Sequence, residues 1–175
     1  GEYIGSNPVY GYKRNSLNRH QLVVDEPAAT VIRDIFRWRL EGMSADRIAG
    51  RLNQLGIPSP AEHKRRSGSN CTYAFQKNDV PLWYPGPVIR ILKNRIYTGT
   101  LEQGKTKSNP FYHKLAKRLP QDGWAVKEKA HEAIISEECF RAIERLLKTD
   151  SRISPSAKKT YLLSGFVRCA VCQNT

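Results

Sequence analysis

Hydrophobic residues recur at helical spacing in four stretches of the chain, and these set its framework. Ala28, Val31, Ile32, Ile35, Phe36 and Leu40 fall three or four apart, predicting a core-facing helix capped by Asp25, with Pro27 in its first turn and an end at Gly42. The same spacing puts Arg33, Arg37 and Arg39 on its solvated side. Ser44 is placed to cap a second helix with the stripe Ile48, Ala49, Leu52 and Leu55; Gly56 suits a left-handed stop, and Pro58 and Pro60 bar continuation. Pro85-Gly86-Pro87 opens a third helix, with Val88, Ile91 and Leu92 inward and Arg90, Lys93 and Asn94 outward, followed by Arg95. Ser136 caps a fourth, whose inward residues are Phe140, Ile143, Leu146 and Leu147.

Shorter patterns lie between the helices. Gln21–Val24, Tyr97–Leu101 and Trp124–Lys127 read as strands, with a turn at Gly104 and a basic, loop-like stretch over 105–123. Residues 57–84 are expected to form a long loop holding His63-Lys64-Arg65-Arg66, either a solvated insertion or an arm on a phosphate backbone. The predicted fold class is α+β: a mainly helical, winged helix-turn-helix-like body with a small β element. Residues 1–24 form a leading segment, 25–148 the main domain and 149–160 a linker. Residues 161–175 carry a strand, Tyr161–Val167, into Cys169-Ala-Val-Cys172. The single methionine is Met43, and the chain stops just past that cysteine pair, so a piece of a longer protein is expected.

Charge sharpens this picture. Of 29 lysines and arginines, twelve fall between Lys64 and Arg118, against only Asp79 and Glu102, so this third holds +10 of the net +13. Charge concentrated in one region is the footprint of a nucleic-acid surface rather than of general solubility. No apolar run approaches the ~18 residues of a membrane span and no signal peptide opens the chain, so a cytoplasmic location with reduced thiols is expected.

Candidate chemistry follows from the same stretch. Arginine can bond O6 and N7 of guanine together, asparagine can bond N6 and N7 of adenine, and lysine holds phosphate. Arg90 and Asn94, four apart, would share one helix face with Lys93 beside them, although Asn94 and Arg95 could cap the helix end instead. Lys105 and Lys107, near a hairpin tip, suit a wing against phosphates, and Lys64, Arg65 and Arg66 complete the candidate DNA-binding set. Catalysis finds no support: Gly-x-Ser-x-Gly, HExxH and phosphate-loop patterns are absent. His20, His63, His113 and His131 show no metal spacing, and His131 fits a structural hydrogen bond; Ser164 reads as a strand-to-turn residue. Cys71 and Cys139 read as ordinary thiols. Cys169 and Cys172 could bite one tetrahedral zinc, or form a redox or packed pair.

The ordered motifs resemble a known family. Tyr10-Gly11-Tyr12, Leu22-Val-Val-Asp25, Gly42-Met-Ser44 with Ile48 and Leu52-Asn53, Gly56-Ile-Pro58, Trp83, Ile91-Leu-Lys-Asn94, Tyr97-Thr-Gly99, His131-Glu-Ala-Ile-Ile-Ser136, Phe140 and Leu162-Leu-Ser-Gly165 before Cys169-x-x-Cys172 are similar to the large serine recombinases. Val9, where many relatives have proline, is a small departure. The resemblance covers the family's DNA-binding domain and the first strands of its zinc ribbon. It implies a parent enzyme that cuts and rejoins double-stranded DNA through a serine in an upstream catalytic domain, assembling as dimer and tetramer. It also implies that Cys169 and Cys172 supply half of a zinc site in that parent. For this stretch alone it implies DNA binding without strand exchange, as a monomer. Two other classes remain open on the residues: a helix-turn-helix transcription regulator, and an RNA-binding accessory protein stacking bases on Tyr10, Tyr12, Trp83 and Tyr84.

Overall fold

The structure, a computed structural model, describes residues 2–5, 7–68, 82–107, 117–148, 167 and 169–171. The leading segment is a β-hairpin, β1 (Tyr12–Arg14) paired antiparallel with β2 (Leu22–Val24) so that Tyr12 faces Val24. Tyr10, Tyr12, Leu22 and Val24 are buried in the same core as the helices, so this segment is part of the body.

α1 (Glu26–Leu40) runs through the centre, with Ile32, Ile35 and Phe36 fully enclosed. Asp25 sits at its N-cap without a side-chain capping bond to the helix, and Pro27 occupies the first turn as expected. Its last turn departs from the expected stripe: Trp38 is buried and Leu40 lies exposed, because the helix ends there and Leu40 runs past the edge of the core. Leu55 and Leu146 are exposed for the same reason, one at a helix C-cap and one in a last turn. α2 (Ala45–Gln54) begins at Ser44, whose Oγ accepts the Arg47 N–H at 3.2 Å, and buries Ile48, Ala49 and Leu52.

The expected loop over 57–84 contains a helix. α3 (Pro60–Arg66) starts where proline is tolerated, at the first helical position, with Ser59 Oγ accepting the Glu62 N–H at 3.3 Å. Pro60 therefore starts a helix as well as barring continuation of α2. α4 (Pro85–Leu92) lies against α2, and α5 (Glu137–Lys148) covers α1 with Phe140 and Ile143 buried.

The expected strand at Tyr97–Leu101 is mostly something else. Asn94 Oδ1 accepts the Ile96 N–H at 3.2 Å and turns the chain into a 3₁₀ helix, Arg95–Thr98, which ends at Gly99 with φ of +80°. The strand proper is β3 (Leu101–Gln103), paired antiparallel with β6 (Ala125–Lys127), the anticipated return strand. Beyond Gly104 the hairpin continues as β4 (Thr106–Lys107) paired with β5 (Lys117–Arg118). The mixed helical and small-sheet architecture is thus the α+β class that the sequence predicts.

Long-range polar ties close this core. Tyr97 Oη donates to the Tyr10 carbonyl at 2.9 Å, Tyr12 Oη to the Glu132 carbonyl at 2.8 Å, and His131 Nε2 to the Ile96 carbonyl at 2.7 Å. Burial pushes the His131 imidazole below its ordinary pKa despite that carbonyl.

Candidate nucleic-acid interface

α4 is short and apolar inside, so its placement depends on its ends. A side-chain staple from α2 holds the chain just before its first turn: Asn53 Oδ1 accepts the Trp83 N–H at 2.9 Å and Asn53 Nδ2 donates to the Trp83 carbonyl at 3.0 Å. Trp83 is itself buried, with Nε1 donating to the Ile57 carbonyl at 3.0 Å. This fixes α2 and α4 against each other through side chains, although many residues separate them in sequence. On the outer side Arg90 is exposed, and Lys93 is the exposed C-cap residue. Neither has a carboxylate within ion-pair distance among the described residues.

Asn94 and Arg95 do not continue that face. The helix ends at Leu92, so the four-residue spacing of Arg90 and Asn94 no longer places them together. Asn94 caps the 3₁₀ turn. Arg95 reaches Glu137 of α5 at 3.1 Å and Glu102 of β3 at 3.9 Å, bracing the hairpin against α5.

In α3 the three candidates part ways. Glu62 is buried, and Arg65 and Arg66 both close on it, at 2.8 and 2.9 Å, while remaining more than half exposed themselves. The Arg66 hydrogen bond, with Arg65 assisting, holds Glu62 below the usual carboxylate range against the opposing effect of desolvation. Lys64 is half-buried with no such partner. Next to it, His63 Nε2 lies 3.3 Å from Asp25, tying α3 to the start of α1.

The hairpin carries a bulge. Two residues on the outgoing side, Gly104 and Lys105, stand opposite 119–124 on the return; the Leu119 N–H donates to the Lys105 carbonyl at 2.9 Å, bridging the gap. Trp124 sits there half-buried, its Nε1 donating to the Leu119 carbonyl at 3.0 Å. Lys105 Nζ lies 4.7 Å from the centre of the Trp124 ring and 2.8 Å from Glu102, and the Arg118 guanidinium lies 5.5 Å from the same ring. Lys107 is exposed on β4. The sequence reading missed Arg118 and Trp124. The available signal was a tryptophan closing a stretch free of Asp and Glu from Lys105 to Gln121.

Of the remaining candidates, Cys169 is exposed and Cys172 lies outside the described residues, as do Cys71, His113 and Ser164. Among the described residues no group of three or more His, Cys, Asp or Glu side chains could hold a metal ion, and no helix is long and apolar enough to cross a membrane. Of the aromatics considered for base stacking, Tyr10, Tyr12 and Trp83 are buried in the core, and only Tyr84 is exposed.

Comparison with known proteins gives a consistent set. The Recombinase family model matches residues 26–150. The uncharacterized protein YefB of Bacillus subtilis (strain 168) is 28% identical over 120 residues, which are 69% of this chain and 36% of that protein. Two solved structures share the fold at 18% identity. One, described as the crystal structure of an LSR–DNA complex, aligns over 99% of this chain and 43% of its own with a TM-score of 0.55. The other, described by the sequence requirements of the Listeria innocua prophage attP site, aligns over 86% and 47% with a TM-score of 0.51. The chain spans about a third of the curated relative and under half of each solved one.

Proposed function

Because the chain belongs to the Recombinase family, we propose that it is the DNA-recognition part of a site-specific serine recombinase and holds duplex DNA at a recombination site. The observation that carries this reading is the contrast between cation sets. On α1, Arg33 pairs with Glu26 and Arg37 with Asp34. On α4 and the hairpin, Arg90, Lys93 and Lys107 face outward with no acidic partner among the described residues. Exposed, unneutralised cations on a helix-turn-helix and its wing have the chemistry to displace counterions from a phosphate backbone. Arg90 is assigned to base edges, Lys93 to either base or phosphate, and Lys107 with Lys105 to the backbone. On α3, Lys64 is proposed as a further phosphate contact, with Arg65 and Arg66, which share Glu62 yet stay more than half exposed, in a supporting role beside it. Asn94 and Arg95 act by shaping the turn and bracing the hairpin. The likeness to chains described with DNA and with a prophage attP site supports the reading.

In the parent protein, the serine nucleophile and strand exchange belong to an upstream domain that also brings subunits together. The present stretch is a cytoplasmic, monomeric DNA-binding unit without cleavage activity. Cys169 and Cys172 are proposed as two of four zinc ligands there, since the thiolates of one Cys-x-x-Cys leave a tetrahedral ion half-coordinated. About one zinc per chain should appear by metal analysis once a second cysteine pair is supplied.

Fluorescence anisotropy on labelled duplex tests the main reading. Neutralising roughly six phosphates gives a log–log slope of affinity against salt near −5. Absence of duplex binding at low salt, or preferential displacement by single-stranded RNA, would overturn it.

A further inference from the structure

A half-buried tryptophan leading into an exposed strand needs a reason. The three residues after Trp124, Ala125, Val126 and Lys127, are all exposed, so β6 does not deliver the ring into the core. Among the described residues the ring instead meets two cations from opposite strands of the bulge, Lys105 at 4.7 Å and Arg118 at 5.5 Å. Two positive charges brought to one small surface repel each other, and each side chain loses rotamer freedom when held there. The electron-rich π system of the indole attracts both cations and offsets that repulsion. Glu102, nearly buried and 2.8 Å from Lys105, also holds the lysine. Its 39% exposure leaves the ammonium open to solvent.

We infer that Trp124 is a positioning residue that holds Lys105 and Arg118 side by side as a paired grip on the DNA sugar–phosphate backbone. Arg118 thereby joins the binding surface, and Trp124 acts on DNA through the two cations without touching it. The inference rests on the DNA-binding reading above and adds how the hairpin makes its contact.

The experiment compares Trp124→Phe and Trp124→Leu by salt-dependent anisotropy on one duplex, with Lys105→Gln and Arg118→Gln alongside. Both tryptophan variants keep the net charge and lose the indole N–H, but phenylalanine keeps an aromatic face and leucine does not. Trp124→Phe should keep the wild-type salt slope, while Trp124→Leu should flatten it by about 1–2, the equivalent of one or two lost phosphate contacts. Each cation variant should flatten the slope by about 0.9, and neither should add fully to Trp124→Leu. Circular dichroism melting of the same samples separates this from unfolding. Equal slopes for the leucine, phenylalanine and wild-type proteins overturn the inference while leaving the DNA-binding reading intact. Equal losses for leucine and phenylalanine also overturn it, by assigning the effect to the indole N–H bond to Leu119. If the wild type itself fails to bind duplex, the functional reading falls and takes this inference with it.

Discussion

Replacing Asn53 with alanine removes two hydrogen bonds with one cut. Its amide gives and takes a bond from the backbone of Trp83, at 3.0 and 2.9 Å, where the chain enters α4. A hydrogen bond of this kind contributes roughly 0.5–1.5 kcal/mol net, so the pair is worth about 1–3 kcal/mol. The upper half of that range is expected here, because the buried Trp83 side chain leaves the freed N–H and carbonyl little access to replacement water. For a body of this size each kilocalorie shifts Tm by roughly 3–5 °C, so the variant should melt about 6–15 °C lower. Urea denaturation should show a reduced midpoint at unchanged slope, because the surface exposed on unfolding stays the same. The second consequence is local. With the staple gone the start of α4 frays, and duplex affinity should fall even at temperatures where the body remains folded. A destabilisation below about 0.5 kcal/mol would refute the reasoning, showing that water or a shifted backbone satisfies Trp83 and that α4 is held by its apolar face alone.

Other perturbations probe separate points. Arg90→Ala should cost about 1–3 kcal/mol on a cognate half-site and flatten sequence preference, whereas Lys107→Ala should weaken cognate and random duplex alike; anisotropy on both duplexes decides it. Gly99→Ala should destabilise by about 2–4 kcal/mol in thermal or urea melts, because φ is +80° and an added Cβ would lie 2.8 Å from the His131 carbonyl oxygen. Glu62 has a folded pKa below its ordinary value of 4.5, so its stabilising contribution is complete above that pH and is lost as pH falls through the folded value. Urea midpoints measured against pH should therefore show a constant gap between wild type and Glu62→Gln from pH 7 to about 4.5, and a shrinking gap below.

Helices were legible where a long apolar stripe met a cap: Ser44 with Ile48 and Leu52, and Ser136 with Phe140 and Ile143, stand where the pattern put them. The readings that failed were those in which a single polar side chain redirected the backbone. Asn94, read as a helix-face residue with capping as the alternative, caps the next turn, and that one bond converts the expected strand at Tyr97 into a 3₁₀ helix that delivers Tyr97 to the core. α3 was missed because its seven residues offer no apolar period, only Glu62 facing inward between two arginines. At the candidate interface, Arg90 and Lys107 were readable as outward cations. The Trp124 cluster was not, because it depends on a bulge that brings residues thirteen and nineteen positions from Lys105 together, and no local period encodes such a meeting.

The tyrosine ties across the core also set a timetable for how the protein comes into being. The shorter of the two hydrogen bonds from Tyr12 Oη goes to a carbonyl 120 residues later, the other to one 84 residues later, and Tyr97 reaches back 87 residues to Tyr10. At roughly 5–20 residues per second, a ribosome takes about 6–24 s to make the interval between Tyr12 and its farther partner. Through that time the β1–β2 hairpin and the inner face of α1 await the segment carrying His131, Ile134 and Ile135. Contacts so distant in sequence also slow the search for the native pairing once synthesis is complete. The youngest form of this protein is therefore a chain with its apolar centre open, and holding that centre apart from other nascent chains is the first demand its topology makes on the cell.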